Sequence, residues 1–443
     1  MSIDLMTAPA ARTHTHAHTR THAPVPPSLT LPRPRRAPVA APTSGTVHWI
    51  GTGLSTGRSG LELLCAHAER VVVWDRTALR GEDRLAALGL DSYDEIEVRA
   101  LTDGALEAEV GRGDIVVSML PPAEHPWLLR LALESGAHFA CPTPLVGASA
   151  QLDTLLGRAA AAGLVVLTEA GLEPGIDHMM ARLLVARARL AVGDSAESVD
   201  FTSYCGGIPA VPNAFRHRFS WAPYDVLAAL GSPTRHISEG GEFTAMRPWE
   251  VTRPHRLAGE DFEVYPNHDS VPFVARYGVP ADWRMRTFIR GTLRRAGWRE
   301  AWEPVFRVVR TGDKRQMLEL ARELAVRHPA TEADRDRVLL SVTLDARTAD
   351  GRRWYGSYRM DLTGEETESA MARAVSLPIA YGVTRLLTGS LLPGVNRAAE
   401  TVEEAARWLT FLDFNGLRST FTDVLPDAAP RSAQEAAAGP GPR

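Results

Sequence analysis

The chain has 443 residues, with 49 Lys or Arg against 53 Asp or Glu and a formal net charge of −4. At roughly 100–200 residues per domain, this length predicts two or three domains. The near-neutral balance excludes the basic field of a general nucleic-acid binder. Hydrophobic residues make up 44% and charged residues 23%, enough for a sizeable core. No apolar run reaches the roughly 18 residues of a membrane span. Cys65, Cys141 and Cys205 are far apart, which excludes a disulfide scaffold or a Cys-based zinc site and points to a reducing, cytoplasmic compartment. Lys314 is the sole lysine, so a GxxxxGK[ST] phosphate loop is absent and a pyridoxal Schiff base has a single candidate in a polar stretch.

Residues 1–44 are rich in Thr, His, Pro and Arg and read as a disordered tail. His14, His16, His18 and His22 fall within it; solvated low complexity is the favoured reading, over a metal-binding tract or a transit peptide. No metal site is assigned. TVHWIG (46–51) is a buried strand ending in glycine, followed by a helical stretch over 54–66. RVVVWD (70–75), IEVRAL (96–101), DIVVSML (114–120), AHFAC (137–141) and LVVLTEA (164–170) are further strands, with helical stretches such as 124–135 and 148–162 between them. This alternation predicts an α/β fold with a Rossmann-type, doubly wound parallel sheet over 45–195. Beyond it, VDFTSYCGG (199–207), RTFIRGTLR (286–294), DRVLLSVTLDAR (336–347) and WYGSYRMDL (354–362) alternate as half-buried strands do. They predict a mostly antiparallel sheet in a second, mixed α/β domain over 196–362. Helices at about 365–389, with Pro378 as a kink, and at 400–412 make a C-terminal segment (363–425) that returns to the first sheet. Residues 426–443 form a second disordered tail.

GTGLSTG (51–57) closes the first strand and opens a helix. Gly51 makes the turn and Gly53 lets backbone N–H groups approach a pyrophosphate, with Thr52, Leu54, Ser55 and Thr56 completing the loop. The third glycine, Gly57, is one position late for GxGxxG. Asp75 ends the second strand where an acid accepts a ribose hydroxyl, which favours NAD. Arg76 and Thr77 could hold the extra phosphate of NADP. Ser118, Met119, Leu120 and Pro121 follow the fourth strand, at the carboxyl-end crevice where the nicotinamide half would lie.

TEAGLEPGIDHMMA (168–181) resembles the GLDPGIDH segment of the saccharopine dehydrogenase family. SYCGGIPAVPNAFRHRFSW (203–221), FEVYPNHDSVPF (262–273) and FIRGTLRRAGW (288–298) agree in the same order, so the resemblance covers roughly 46–412. It implies an NAD(P) domain built from both ends of the chain, with the substrate domain inserted, in a homodimer. It also implies oxidation of the CH–NH bond of an amino-acid-derived secondary amine, foremost saccharopine in lysine metabolism. Lysine 6-dehydrogenase, carboxynorspermidine dehydrogenase and a non-catalytic dinucleotide-binding member remain alternatives. The partner is thus a small amino-acid substrate, not nucleic acid or membrane. The chain departs from the family at Cys141-Pro142-Thr143-Pro144, and at Tyr224 and His268, where arginines are common.

Carboxylates call for arginine, whose planar fork binds them bidentately. Arg218 and Arg290 lie in the resemblance motifs and are the first candidates, ahead of Arg294 and Arg373. Asp177 and His178 sit in the glycine-proline turn and are candidates for proton transfer, with helix capping the alternative role for Asp177. Gly171 is placed beside the cofactor. Glu169, Cys141, Tyr265, Asn267 and Asp269 are candidates on the substrate side, with core packing the favoured reading of Cys141 and a turn or hinge role the alternative for Tyr265, Asn267 and Asp269.

Overall fold

The protein is described by a computed structural model over residues 39–145, 149–219, 223–329 and 334–424. The histidine tract and the tail expected at 426–443 lie outside these residues. Residues 39–44, assigned to the tail from composition, are instead tied down: Ala41 N–H donates to Gly163 O at 2.7 Å and Ser44 N–H to Gly113 O at 2.8 Å. Satisfied backbone groups outweigh the unremarkable composition there.

The strands in chain order are β1 (Thr46–Ile50), β2 (Arg70–Asp75), β3 (Ile96–Ala100), β4 (Ile115–Ser118), β5 (His138–Ala140), β6 (Val165–Thr168), β7 (Ala196–Pro209) and β8 (Thr234–Ser238). They continue as β9 (Gly241–Ala245), β10 (Arg253–Leu257), β11 (Glu260–Pro266), β12 (Trp283–Arg295), β13 (Asp336–Arg347), β14 (Arg353–Thr363), β15 (Gly394–Arg397) and β16 (Ser419–Val424). Seven of them form a parallel sheet in the order β15-β6-β5-β4-β1-β2-β3. Its inner strands are short, largely apolar runs because both faces are covered, while the edge strands β3 and β15 are more polar and only partly buried. Val47, Trp49, Val71 and Val73 enter one core, while Ile50, Val72, Trp74 and Val116 enter another on the opposite face.

The second sheet runs β10-β11-β12-β7-β13-β14-β16. It is antiparallel except where β12 lies parallel to β7. Val338, Leu340, Val342, Leu344 and Ala346 alternate along β13 into the same core that receives Val47 and Trp49. The helices Ile176–Val192 and Ala370–Leu387 fill the space between the sheets with Met179, Leu184, Ala374, Leu377 and Ile379. The C-terminal segment returns to the parallel sheet through β15, but its last strand, β16, joins the second sheet beside β14.

The helix expected over 54–66 begins only at Arg58. Thr56 explains the delay: its N–H donates to Gly53 O at 3.0 Å and its hydroxyl to Gly51 O at 2.9 Å, closing a turn first. Gly60 then brings this helix against Ala370–Leu387, since a Cβ there would lie 2.6 Å from Ser376 O.

Candidate active site

The first half of the site is the crevice at the carboxyl ends of β1, β2 and β4. Gly51 turns the chain at φ 104°, and a Cβ on it would meet Leu120 and the Met119 backbone at 2.9–3.2 Å. Gly53 and Leu54 are exposed, and a Cβ at Gly53 would meet nothing within 4 Å. That open space over exposed backbone fits a dinucleotide pyrophosphate. Asp75 is buried and accepts from Thr52 N–H at 3.3 Å, from the Thr52 hydroxyl, from Arg76 N–H at 2.6 Å and from Arg80 Nε at 3.4 Å. Burial works against its ionisation, but these donors outweigh it and hold the carboxyl below its usual range. The Arg76 and Arg80 side chains are exposed beside it, while Thr77 caps the next helix through Arg80 N–H at 3.3 Å.

Beneath the crevice, Ser118 is fully buried and its hydroxyl meets His125 Nδ1 at 2.8 Å. His125 Nε2 meets the Thr143 hydroxyl at 2.7 Å. Burial alone lowers His125 to about 4, so it stands as a neutral strut linking the ends of β4 and β5. Cys141 is fully buried, with its thiol pushed up to about 12 by burial. The sequence left it either a substrate-side thiol or, in the favoured reading, a core cysteine; it is packed in the core with its thiol on Thr143 O at 3.2 Å.

The second half is built on the turn 171–178. Gly171 N–H donates to Pro174 O at 3.0 Å, Gly175 has φ 147°, and the Glu173–Pro174 bond is cis. Asp177 reaches back to Gly175 N–H at 2.8 Å with one oxygen. Its other oxygen takes Arg290 Nη2 at 2.8 Å and Nε at 3.2 Å. Arg290, from β12, also lies 3.7 Å from Glu173 and over the Phe273 ring at 4.1 Å. Burial would push Asp177 up, but His178, Arg290 and the Gly175 N–H hold it below the usual carboxylate range. Glu173 shares the same arginine and fares differently. Burial, with Asp177 beside it, raises its carboxyl to about 7 against the pull of Arg290. One guanidinium cannot fully compensate two buried carboxylates, so Glu173 gives up its proton only near neutrality.

His178 bridges this pair to a second ionic cluster. Its Nδ1 meets the Tyr277 hydroxyl at 3.0 Å, and that hydroxyl donates toward Asp177 at 3.4 Å. Its Nε2 lies 3.2 Å from Glu169. Glu169 holds a left-handed backbone, φ 55°, and accepts from Arg276 at 3.2 Å and Arg397 at 3.0 Å. Burial opposes its charge, but His178, Arg276 and Arg397 bring it down to about 2. Such a left-handed non-glycine residue is itself a mark of a constrained site.

The structure thus brings together Asp177, His178, Glu169, Arg290 and Asn267, whose amide donates to Glu173 at 3.2 Å and to the Thr292 hydroxyl at 3.3 Å. It sets the other sequence candidates apart from this group. Asp269 is exposed and paired with Arg235 at 2.9 Å. Arg218 lies 3.8 Å from Asp334. Tyr265 is buried in an aromatic layer, stacked on Trp298 at 5.1 Å. Glu173, Tyr277, Arg276 and Arg397 were not singled out. Glu173 stands in the recognised turn motif and could have been; Arg276 and Arg397 carry no local signal among so many arginines. Among the described residues no group of three His, Cys, Asp or Glu could hold a metal ion. No helix among them is long and apolar enough to cross a membrane.

Residues 47–167 match the profile described as the saccharopine dehydrogenase NADP binding domain, and residues 171–414 that of the saccharopine dehydrogenase C-terminal domain. The chain belongs to the saccharopine dehydrogenase family. A saccharopine dehydrogenase [NADP(+), L-glutamate-forming] of Pyricularia oryzae is 33% identical over 260 residues, 57% of this chain and 55% of that protein. The mitochondrial alpha-aminoadipic semialdehyde synthase of Bos taurus is 33% identical over 203 residues, 44% of this chain and 21% of that protein. The matches therefore span about half the length of the family's saccharopine dehydrogenases, or less. In fold, the chain is similar to apo saccharopine dehydrogenase (L-Glu forming) from Saccharomyces cerevisiae, with TM-score 0.69, 22% identity and coverage of 85% of this chain and 99% of that one. It is also similar to a homospermidine synthase from Legionella pneumophila solved with NAD, with TM-score 0.57, 10% identity and coverage of 89% and 94%.

Proposed function

We propose that this protein oxidises saccharopine with a nicotinamide dinucleotide, releasing L-glutamate and 2-aminoadipate 6-semialdehyde. The observation that carries the reading is the buried Glu173 carboxyl, 3.7 Å from Arg290 and beside the Asp177–Arg290 pair at 2.8 Å, in the turn that follows the cofactor-binding domain. The names of the curated relatives support the substrate. When bound, the dinucleotide supplies the hydride acceptor. Gly51 to Thr56 would hold its pyrophosphate, and Asp75 its adenine ribose. Asp75 alone argues for NAD. Its ties to Thr52, the Arg76 N–H and Arg80, with two exposed arginine side chains alongside, support NADP, which is the assignment made here.

The chain's own groups then have defined tasks. The secondary amine must be neutral before its carbon can release a hydride, and Glu173 is poised near neutrality to take that proton. Asn267 orients the Glu173 carboxyl through its amide. Arg290, fixed by Asp177, keeps positive charge beside it and limits how far its proton affinity rises. After oxidation the imine carbon accepts water, and the proton held on Glu173 is available for the departing glutamate nitrogen. A cytoplasmic homodimer is the assembly proposed. The test is to supply purified protein with NADP and, separately, saccharopine, lysine and carboxynorspermidine, and to follow the absorbance of the reduced nicotinamide. Turnover of saccharopine alone is expected; turnover of either other amine in its place would reassign the substrate.

A further inference from the structure

Strand β12 carries three buried arginines, and their partners differ. Arg290 is paired with Asp177. Arg295 is paired with Glu260 at 2.9 Å and donates to Pro209 O and Ala210 O at 3.0 and 2.7 Å. Arg294 is 6% exposed, yet no carboxylate among the described residues lies within ion-pair distance of it. Among the described residues its one side-chain bond is from Nη2 to the neutral Tyr265 hydroxyl at 3.2 Å, and its Nε has no partner. A buried guanidinium cannot shed its proton, so an unpaired one is a standing cost that proteins avoid unless an anion arrives.

The surroundings repeat the pattern. The Arg294 guanidinium lies 5.5 Å from the Trp298 ring centroid, and Trp298 Nε1 is a buried donor with no acceptor. Trp302 packs on Trp298 at 5.3 Å and on His217 at 4.9 Å. His217 is buried with neither ring nitrogen partnered, although one of them must carry a hydrogen. Apart from the Tyr265 hydroxyl on Arg294, no acceptor among the described residues serves these buried donors of one aromatic layer. The missing partner is therefore anionic and rich in acceptor oxygens.

We infer that Arg294 seats a carboxylate of the substrate, in a subsite walled by Tyr265, Trp298 and Trp302. Alternate residues of a strand share a face, so Arg290, Thr292 and Arg294 line one row. Arg294 stands about 13 Å along the strand from Arg290. Thr292, Asn267 and Glu173 lie between them, joined by the Asn267 amide. A substrate with its amine at Glu173 and a flexible carboxylated arm fits that row. The site thus selects amines with an acidic arm over plain polyamines. The inference deepens the saccharopine reading and rests on it only for which molecule brings the carboxylate.

The test is calorimetric titration of the full chain with glutarate, with its monoamide glutaramate and with inorganic phosphate, so no turnover is required. Glutarate is expected to bind more tightly than either other probe. Arg294→Met should weaken it at least about tenfold, the loss of one charge-assisted pair, while NADP binding stays unchanged. Arg294→Lys, which keeps the charge and loses the fork, should fall between and serves if the Met variant does not fold. Unchanged glutarate affinity in the variants, phosphate bound as well as glutarate, or no glutarate binding by the wild-type protein would each overturn the assignment. Loss of saccharopine turnover with glutarate binding intact would instead overturn the redox reading alone.

Discussion

Asp177 and Arg290, 113 residues apart in the chain, meet at 2.8 Å in a fully desolvated pair. The contact joins the first turn of the helix Ile176–Val192 to strand β12 of the second sheet. Removing one partner leaves the other as a buried, uncompensated charge. Arg290→Met should therefore cost about 3–5 kcal/mol in unfolding free energy, measured by urea denaturation. A loss under about 1 kcal/mol, the size expected of an exposed pair, would contradict the burial assigned here.

Glu173 gives a pH signature of opposite sign to an ordinary ion pair. Its carboxyl is raised to about 7 when folded, against about 4.3 in an unfolded chain. The folded state therefore binds the proton more tightly. The stability this supplies is fully present below the unfolded value and is lost as pH rises through about 7. Glu173→Gln mimics the protonated form, so melting temperatures should fall between pH 5 and 8 in the wild type and stay flatter in the variant. The variant should also lose the acid limb of kcat/KM for amine oxidation.

Gly53 and Gly60 separate cofactor binding from packing. Nothing lies within 4 Å of a Cβ on Gly53, whereas one on Gly60 would strike the Ser376 backbone at 2.6 Å. Gly53→Ala should keep the melting temperature of the free protein and weaken NADP binding at least about tenfold, by obstructing the close backbone approach. Gly60→Ala should lower stability by about 1–3 kcal/mol through overpacking. Thermal melts with and without NADP check both.

The proposed NADP assignment gives Arg76 and Arg80 the task of holding the extra phosphate. The double variant Arg76→Ala, Arg80→Ala should raise the Kd for NADP about tenfold or more and change that for NAD little. Asp75→Ala should do the reverse, since it removes the ribose acceptor and the repulsion toward a phosphate together. Equal effects on both dinucleotides, by fluorescence titration, would place the ribose elsewhere.

The sequence carried six strands of the parallel sheet, most of them apolar runs, but not its edge strand β15, whose residues GVNR show no apolar pattern, and it carried the turn 168–181 through its motif. Asp177, His178 and Glu169 were legible there. Tyr277, Arg276 and Arg397 were not, since they reach the site only through tertiary packing and resemble surface residues locally. Cys141 was open to two readings, a site thiol or the favoured core cysteine, and its full burial matches the second. Arg294 was outranked by Arg218 because both lie in recognised motifs; what distinguishes Arg294 is the absence of a partner, which no sequence displays.

The most direct measurement uses saccharopine deuterated at the carbon that becomes the aldehyde, incubated with NADP and this protein, with mass spectrometry of the reduced dinucleotide. Direct transfer predicts one deuterium on the nicotinamide, one retained on the semialdehyde, and an equal amount of L-glutamate. Reduced dinucleotide without deuterium, or none at all from a protein that binds NADP, would contradict amine oxidation at this site.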